Sequence, residues 1–481
     1  MRWKMVLASL SRLLIVVGLS MTIPLIWALY FNDGSWPAVV YSMVITIGSG
    51  IIIYILFPLE NTHLRYIEGY LIVTCAWLAV VLFGTLPYLF SGTMNFTDAL
   101  FETMSGFTTT GASILKDVEA MPEGILMWRS LTQWLGGMGI IVLFVALVAR
   151  FGPGANRIFN AEAPGPVLEK LTPRISDTAK NLWKFYMIFT LMQIILLAIA
   201  GMTFYDAMSH TFTTIATGGF STKNASIGFY LDNAFIQLII ILFMFLGGTN
   251  FALYYLVLKN KTLKVFLHNE EFMLYFKIVI IATVLVSISL YLNMPEGQGI
   301  LPITALFQVV SILTTTGFAT VDYDVWPNLA RNVMFILLFI GGSLGSTAGG
   351  IKIGRFLILI KYTLSELVRS IHPRLVRSLK INNNSVDDKI VINTFIFFFA
   401  YISIVGISTI VMSSFGLDLE SALTSVLACI GVIGPGLGIV GPAMNYADIP
   451  VMGKYFLVFL MLIGRLEIFT VFVLFYPKNW I

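Results

Sequence analysis

The sequence predicts an all-α, polytopic membrane protein, and two observations predict it: composition, and the length of the apolar segments. Hydrophobic residues make up 58% of the 481 and charged residues only 11%, outside the usual range of soluble domains. Apolar stretches of about 20 residues, the length that crosses a bilayer as a helix, open at 13–30 and 39–57 and recur along the chain. A transmembrane β-barrel would show alternating segments of about 10 residues. The segments 188–200 and 390–410 are apolar without alternation.

Ten spanning helices are expected, near 13–30, 38–57, 69–90, 125–149, 184–202, 233–258, 272–292, 330–362, 390–413 and 453–476. Arg2, Lys4 and Arg12 flank the first, but no small-residue cleavage pattern precedes the next polar loop, so it reads as a retained helix. An even number of spans puts both termini on one side. With the N-terminus inside, 22 of the 29 basic residues fall on inner segments and only Lys116, Arg129, Lys223, Arg331 and Lys454 on outer loops. The positive-inside rule then makes both termini cytoplasmic. Asp33, Asp117, Glu119, Glu123, Asp232, Glu296, Asp322, Asp324 and Asp448 gather on the outer side. There they give an entrance a cation-attracting potential, or are ordinary solvated loop charges. Cys75 and Cys429 lie in separate apolar segments and read as packing residues.

Between these helices one pattern recurs four times without gaps: DALFETMSGFTTTG at 98–111, DAMSHTFTTIATGG at 206–219, TALFQVVSILTTTG at 304–317 and SALTSVLACIGVIG at 421–434. Each begins with a side chain that caps a helix N-terminus (Asp98, Asp206, Thr304, Ser421). Alanine follows, and each pattern ends on glycine 13 positions after its start. The spacing predicts a helix of about 9 residues, roughly 14 Å long, too short to span and therefore re-entrant, then an extended turn. Irregular backbone at membrane depth is tolerated where it lines a water-filled cavity or is buried in protein. Four copies predict a ring in which Gly111, Gly219, Gly317 and Gly434 let carbonyls replace the hydration shell of a monovalent cation. Thr108, Thr109 and Thr110, and Thr314, Thr315 and Thr316, precede the glycine in repeats one and three, where β-branching stiffens an extended strand and a hydroxyl adds a ligand. Repeat two offers Ala216, Thr217 and Gly218; repeat four offers Gly431, Val432 and Ile433. The helix C-termini, each carrying about half a negative charge, favour a cation at the centre. Alternatively, Thr and Gly in membrane helices are packing residues.

Five glycines fall among ten residues at 341–350, inside the expected span 330–362. Each interior glycine costs a helix about 1 kcal/mol against alanine, so the helix is expected to break into a flexible loop below the ring. Gly341, Gly342, Gly345, Ser346, Thr347, Gly349 and Gly350 form it. Close helix packing through Gly341, Gly345 and Gly349 is the alternative. A phosphate-binding loop is rejected, because Ile351 stands where that motif needs lysine. Arg465 is charged within the last span, so it is expected to face a cavity or a partner. Lys352 lies nearer the inner face, where it acts in gating or snorkels. His63, His210, His268 and His372 have neither metal-binding nor catalytic spacing.

Together with WLGGMGIIVL at 134–143, AEAPGPVLEKLTPRISDTAKNLW at 161–183, FIGGSLGSTAGGIKIGR at 339–355 and GRLEIFTVFVLF at 464–475, the four repeats resemble the TrkH type of the Trk/Ktr/HKT superfamily. The resemblance implies two additional N-terminal helices at 1–60 and four pseudo-symmetric pore repeats at 61–150, 151–258, 259–380 and 381–481. Potassium would pass one central pore, with no cofactor bound. The glycine-rich segment would be the intramembrane gate, with Arg465 an electrostatic barrier that also holds the loop. The resemblance also implies a bacterial inner-membrane location, a homodimer, and gating by a cytosolic, TrkA-like nucleotide-binding subunit. In repeat four, where the family carries Asn-type residues, this chain has Gly431, Val432 and Ile433, which leaves strictness against sodium open.

Other classes fit less well. Broken-helix secondary transporters usually carry two inverted repeats, whereas this chain has four of one sense. An intramembrane enzyme needs a nucleophile with a base, or a metal constellation, and none is readable. A less selective monovalent-cation channel or a cation-coupled symporter of the same fold stays open. The inner segments at 150–183 and 363–389, with Arg157, Lys170, Arg174, Lys180, Arg369, Arg374, Arg377 and Lys380, suit anionic lipid headgroups or a cytosolic protein. No nucleic-acid partner is expected.

Overall fold

The computed structural model describes residues 3–58, 66–137, 139, 175–293, 302–372 and 379–476. The second half of the expected span 125–149, the inner segment 150–174 with Arg157, Lys170 and Arg174, and Arg374, Arg377, His63 and Glu296 lie outside the described residues. The architecture is helical, with one two-stranded hairpin pairing Lys380–Ile381 with Asn384–Ser385. Six described helices are long and apolar enough to cross a membrane, and eight if each of two bent pairs is counted as one span.

The first helix starts earlier than expected, at Trp3, and runs with a kink to Phe31. It packs along Trp36–Leu56. Gly50 permits the approach, since a Cβ there would lie 2.8 Å from the Ser11 carbonyl, the small-residue contact that lets membrane helices close up. Four units then follow, each with a spanning helix (Tyr66–Gly84, Ile175–Ile199, Glu270–Asn293, Asp388–Ser414) and a short re-entrant helix (Phe96–Thr108, Phe204–Ile215, Pro302–Leu313, Leu419–Ile430). A second long helix completes each unit, starting at Glu123, Ala234, Asn328 and Val451. The helix Glu123–Gly137 packs on the re-entrant helix of unit two, Ala234–Gly247 on that of unit three, and Val451–Arg465 on that of unit one.

Two expectations about the re-entrant helices are corrected. They are 12 or 13 residues long rather than about 9. They also start before the aligned Asp98, Asp206, Thr304 and Ser421, which occupy the third helical position. The caps are Asn95, Thr203 and Asp418, whose side chains accept from the backbone N–H of Asp98, Asp206 and Ser421. Asp98 and Asp206 in turn bond the side chains of Asn95 and Thr203 at 2.7 and 3.0 Å. The repeat therefore aligned the reciprocal partner of the cap.

The second helices of units two, three and four are interrupted, where only the third was expected to be; that of unit one ends at Gly137 and is not described beyond Gly139. Ala234–Gly247 meets Phe251–Asn260 at 90°, and Val451–Arg465 meets Phe469–Phe475 at 106°. Asn328–Leu337 gives way to an irregular segment before Ile353–Ile371. Because 341–350 contains no helical turn, helix packing through Gly341, Gly345 and Gly349 is excluded.

Candidate ion pathway and gate

Each re-entrant helix ends in the same C-terminal motif. Thr109, Thr217, Thr315 and Val432, all two positions before the repeat glycine, have left-handed backbone with φ of 61°, 52°, 55° and 58°. Their amides bond the carbonyls of Gly106, Thr214, Ile312 and Cys429, and the next amides reach back to Ser105, Thr213, Ser311 and Ala428 at 2.8 to 2.9 Å. This is the Schellman pairing, which usually places glycine at the left-handed position. A β-branched residue there is a steric outlier. The expected extended strand of threonines is therefore corrected: its middle residue reverses the chain so that the following carbonyls turn off the helix axis.

The repeat glycines close a ring. Gly111, Gly219, Gly317 and Gly434 have φ of 79°, 78°, 81° and 97°. A Cβ added to Gly111 would strike the carbonyl of Gly218; at Gly219, that of Thr316; at Gly317, that of Ile433. At Gly434 it would lie 2.8 Å from the carbonyl of Thr110, returning to the first unit. Each glycine thus makes room for the carbonyl that precedes the next glycine, in cyclic order. The hydroxyls are committed elsewhere: Thr108 bonds Thr110 and Thr314 bonds Thr316, both at 2.8 Å. Among the described residues, no donor bonds the carbonyls of Thr109, Thr110, Thr315, Thr316, Val432 or Ile433. Backbone oxygens, more than hydroxyls, are what this ring offers a dehydrated cation.

Polar side chains at the middle of each re-entrant helix brace the chain after its glycine, a role not expected from the sequence. Glu102 accepts from the amide of Ile114 and the hydroxyl of Ser113, both at 2.9 Å. The His210 imidazole bonds the Ser221 hydroxyl at 2.9 Å. Gln308 meets Thr320, and the Thr424 hydroxyl bonds both amide and carbonyl of Leu437 at 3.1 Å. A signal was present in three units: four positions after the repeat start stand Glu102, His210 and Gln308, all polar, while in unit four the brace is Thr424, one position earlier. Arg129, expected among the outer-loop charges, is instead buried, 2.6 Å from Glu102, with its guanidinium 3.6 Å from the Phe220 ring centre and bonded to the Ser221 carbonyl. Gln133 donates to the Gly218 carbonyl at 2.6 Å and accepts from Phe220 at 3.0 Å. Several outer acids are likewise engaged: Asp33 with the Gly124 amide, Asp448 with Lys116, and Asp324 with Arg331.

The glycine-rich segment lies against one side of this ring and reaches three of the four left-handed residues. The Thr217 and Thr347 hydroxyls are 3.1 Å apart, and the Gly349 amide donates to the Thr315 hydroxyl at 2.6 Å. A Cβ at Gly349 would come 2.6 Å from Val432. Arg465 completes the set, bonding the Thr109 hydroxyl at 3.2 Å and the Thr347 carbonyl at 3.3 Å. It also donates to the carbonyls of Gly136 and Gly137. The segment is held at both edges. Gly341 and Ile353 bond the backbone of Ile351 and Gly342 across its neck, and Gly247 and Gly248 accept from Thr347 and Ser343. The Glu271 carboxylate accepts the Leu344 amide at 2.6 Å. Lys352 is buried with its ammonium on the Ala348 carbonyl, so the snorkelling alternative is not what is found. Ser346 bonds the Ser343 carbonyl within the loop. Among the described residues no cluster of His, Cys, Asp or Glu could hold a metal ion.

Four re-entrant units of one chain, closed head to tail around a ring of backbone oxygens and plugged from one side, define the class of four-repeat membrane pore proteins. The chain belongs to the TrkH family of cation transport proteins, whose sequence profile matches residues 37–480. It is 39% identical to the Trk system potassium uptake protein TrkH of Halomonas elongata and 38% identical to that of Escherichia coli, over the full length of both chains in each comparison. A crystal structure of the potassium transporter TrkH from Vibrio parahaemolyticus matches with a TM-score of 0.89 at 33% identity, covering all of both chains.

Proposed function

We propose that this chain conducts potassium across the membrane, and one observation carries the reading: the cyclic contact of Gly111, Gly219, Gly317 and Gly434 with carbonyls 218, 316, 433 and 110. A ring of backbone oxygens replaces the hydration shell of a monovalent ion, and the Gly218 carbonyl of this one is held by Gln133. The segments Thr108 to Gly111, Ala216 to Gly219, Thr314 to Gly317 and Gly431 to Gly434 are its filter, and the helix C-termini around it favour positive charge. Gly341 to Gly350, with Lys352 and Arg465, are its gate, since the loop and the guanidinium occupy the path directly below. Full-length relatives named as potassium uptake proteins support the choice of ion. The charge bias supports a cytoplasmic side for both termini. The protein acts as a homodimer in the bacterial inner membrane, opened by a cytosolic nucleotide-binding subunit. It binds no cofactor and catalyses no covalent chemistry.

Ion flux into liposomes holding the purified protein tests this, comparing potassium, rubidium, sodium and choline. Potassium and rubidium flux well above choline is expected; equal flux of all four overturns the filter. A second reading has one observation in its favour. Val432 places no hydroxyl where Thr109, Thr217 and Thr315 do, and sodium flux within severalfold of potassium would establish the less selective pore.

A further inference from the structure

On the inner side, the helices Ile175–Ile199 and Phe251–Asn260 enclose a groove of about 420 Å³. Asn181, Lys184 and Ile188 line it from the first helix, and Tyr255, Leu258 and Lys259 from the second. These positions are spaced three and four apart, so one stripe of each helix faces the groove. Among the described side chains no carboxylate lines it, and neither Lys184 nor Lys259 has an acidic partner within ion-pair reach. The two exposed ammonium groups border one groove, so an anion seated there can meet both.

We propose that this groove binds the phosphodiester headgroup of an anionic phospholipid of the cytoplasmic leaflet. Three features select that occupant. The cleft is basic and lies between membrane helices at their inner ends, where anionic headgroups are held. Asn181 and Tyr255 add neutral donors beside the two ammonium groups. Ile188 and Leu258 are exposed apolar side chains beside the two ammonium groups, a wall that acyl chains can cover. A soluble anion would use the lysines but leave that apolar wall uncovered. The site also sits on the gate's support: the amide of Phe251, at the start of the second helix, donates to the Gly345 carbonyl of the glycine loop at 3.2 Å.

The inference depends on the cytoplasmic orientation proposed above but not on potassium conduction, so it is tested by binding alone. Native mass spectrometry of the full chain in detergent, titrated with dioleoylphosphatidylglycerol, reads bound lipid directly. One phosphatidylglycerol is expected to bind ahead of the rest, with dioleoylphosphatidylethanolamine much weaker. Lys184→Gln combined with Lys259→Gln should weaken that first site about tenfold or more, and Lys184→Arg with Lys259→Arg should restore it. Both variants should elute as the wild type does, since these side chains are exposed or lie at the groove mouth. Equal phosphatidylglycerol binding by the Gln variant, equal binding of phosphatidylethanolamine, or displacement of the lipid by millimolar inorganic phosphate would overturn the proposal.

Discussion

At the scale of single residues, the four repeat glycines and Arg465 are where small changes act most directly. Gly317 has φ of 81° and faces the Ile433 carbonyl. Gly317→Ala therefore combines left-handed strain, about 1 kcal/mol or more, with a collision at the ring. Rubidium uptake should fall at least tenfold at unchanged membrane expression, and uptake near wild type would remove Gly317 from the filter. Arg465 was legible in the sequence as a charge within a span, but its partners were not. The Thr109 hydroxyl and the carbonyls of Gly136 and Thr347 come from distant segments that only folding brings together. Arg129 shows the opposite error. Its position near the start of a helix reads as an outer-loop charge, yet Glu102 waits for it inside the protein. Removing one member of a buried pair leaves the other uncompensated, at about 3–5 kcal/mol. Glu102→Gln should therefore lower the thermal stability of the detergent-solubilised protein, and Glu102→Gln with Arg129→Met should recover part of the loss. An unchanged melting temperature in the single variant would show that the pair does not brace the ring.

At the scale of elements, the four-fold pattern was readable in the re-entrant segments, though not their caps or lengths, and invisible in the second helices, although it is present there too. FLGG at 245–248 and LIGR at 462–465 mark the break of the second helix, WLGG at 134–137 ends the helix Glu123–Gly137, and FIGG at 339–342 follows the end of Asn328–Leu337. Their spacing from the repeat glycine varies with the outer loops, so a gapless search misses them. In three units the first of these positions packs on the re-entrant helix: a Cβ at Gly136, Gly247 or Gly464 would press on the carbonyl of Phe107, Ile215 or Ile430. Arg465 thus replaces the second glycine in unit four, which explains why its side chain enters the space under the ring. The left-handed β-branched residues were illegible for a different reason. Propensity argues against threonine or valine at such a position, and only the closed ring together with the loop beneath it over-determines the conformation. The loop's hold on these residues gives a graded prediction. Thr315→Val keeps the shape found at Val432 but removes the acceptor for Gly349, and Arg465→Ala removes the bond to Thr109. Basal rubidium flux should rise severalfold in the first variant, and more in the second. A fall in either, with stability intact, would make the loop a structural support of the filter and not its barrier.

At the scale of the whole molecule, the loop is too well tied to open by itself. Backbone bonds at its neck, the Glu271 carboxylate and the Arg355 to Glu467 ion pair at its exit must all yield or move together. Such a change requires a ligand or partner with differential affinity for the two states. On the proposed function, its point of attack would be the helix Ile353–Ile371, which leaves the loop directly and carries Arg355 at the loop exit, Lys361 midway and Glu366 and Arg369 near its far end. Lys361 ties that helix to Glu270 and to the Lys380 carbonyl of the inner hairpin. Glu270 also accepts from the Asn382 amide at 3.3 Å, while its neighbour Glu271 holds the loop. The start of one helix therefore couples loop, exit helix and hairpin, and a cytosolic subunit bound to the hairpin side would move all three. Lys361→Ala should uncouple them. With the regulatory subunit and its activating nucleotide present, the variant's flux should respond at least fivefold less than wild type, while subunit binding in pull-down stays unchanged. A full nucleotide response in the variant would place the coupling elsewhere. A wild type that binds no cytosolic subunit, and whose flux ignores added ATP, ADP and NADH, would leave the opening of the gate to the membrane and the ions alone.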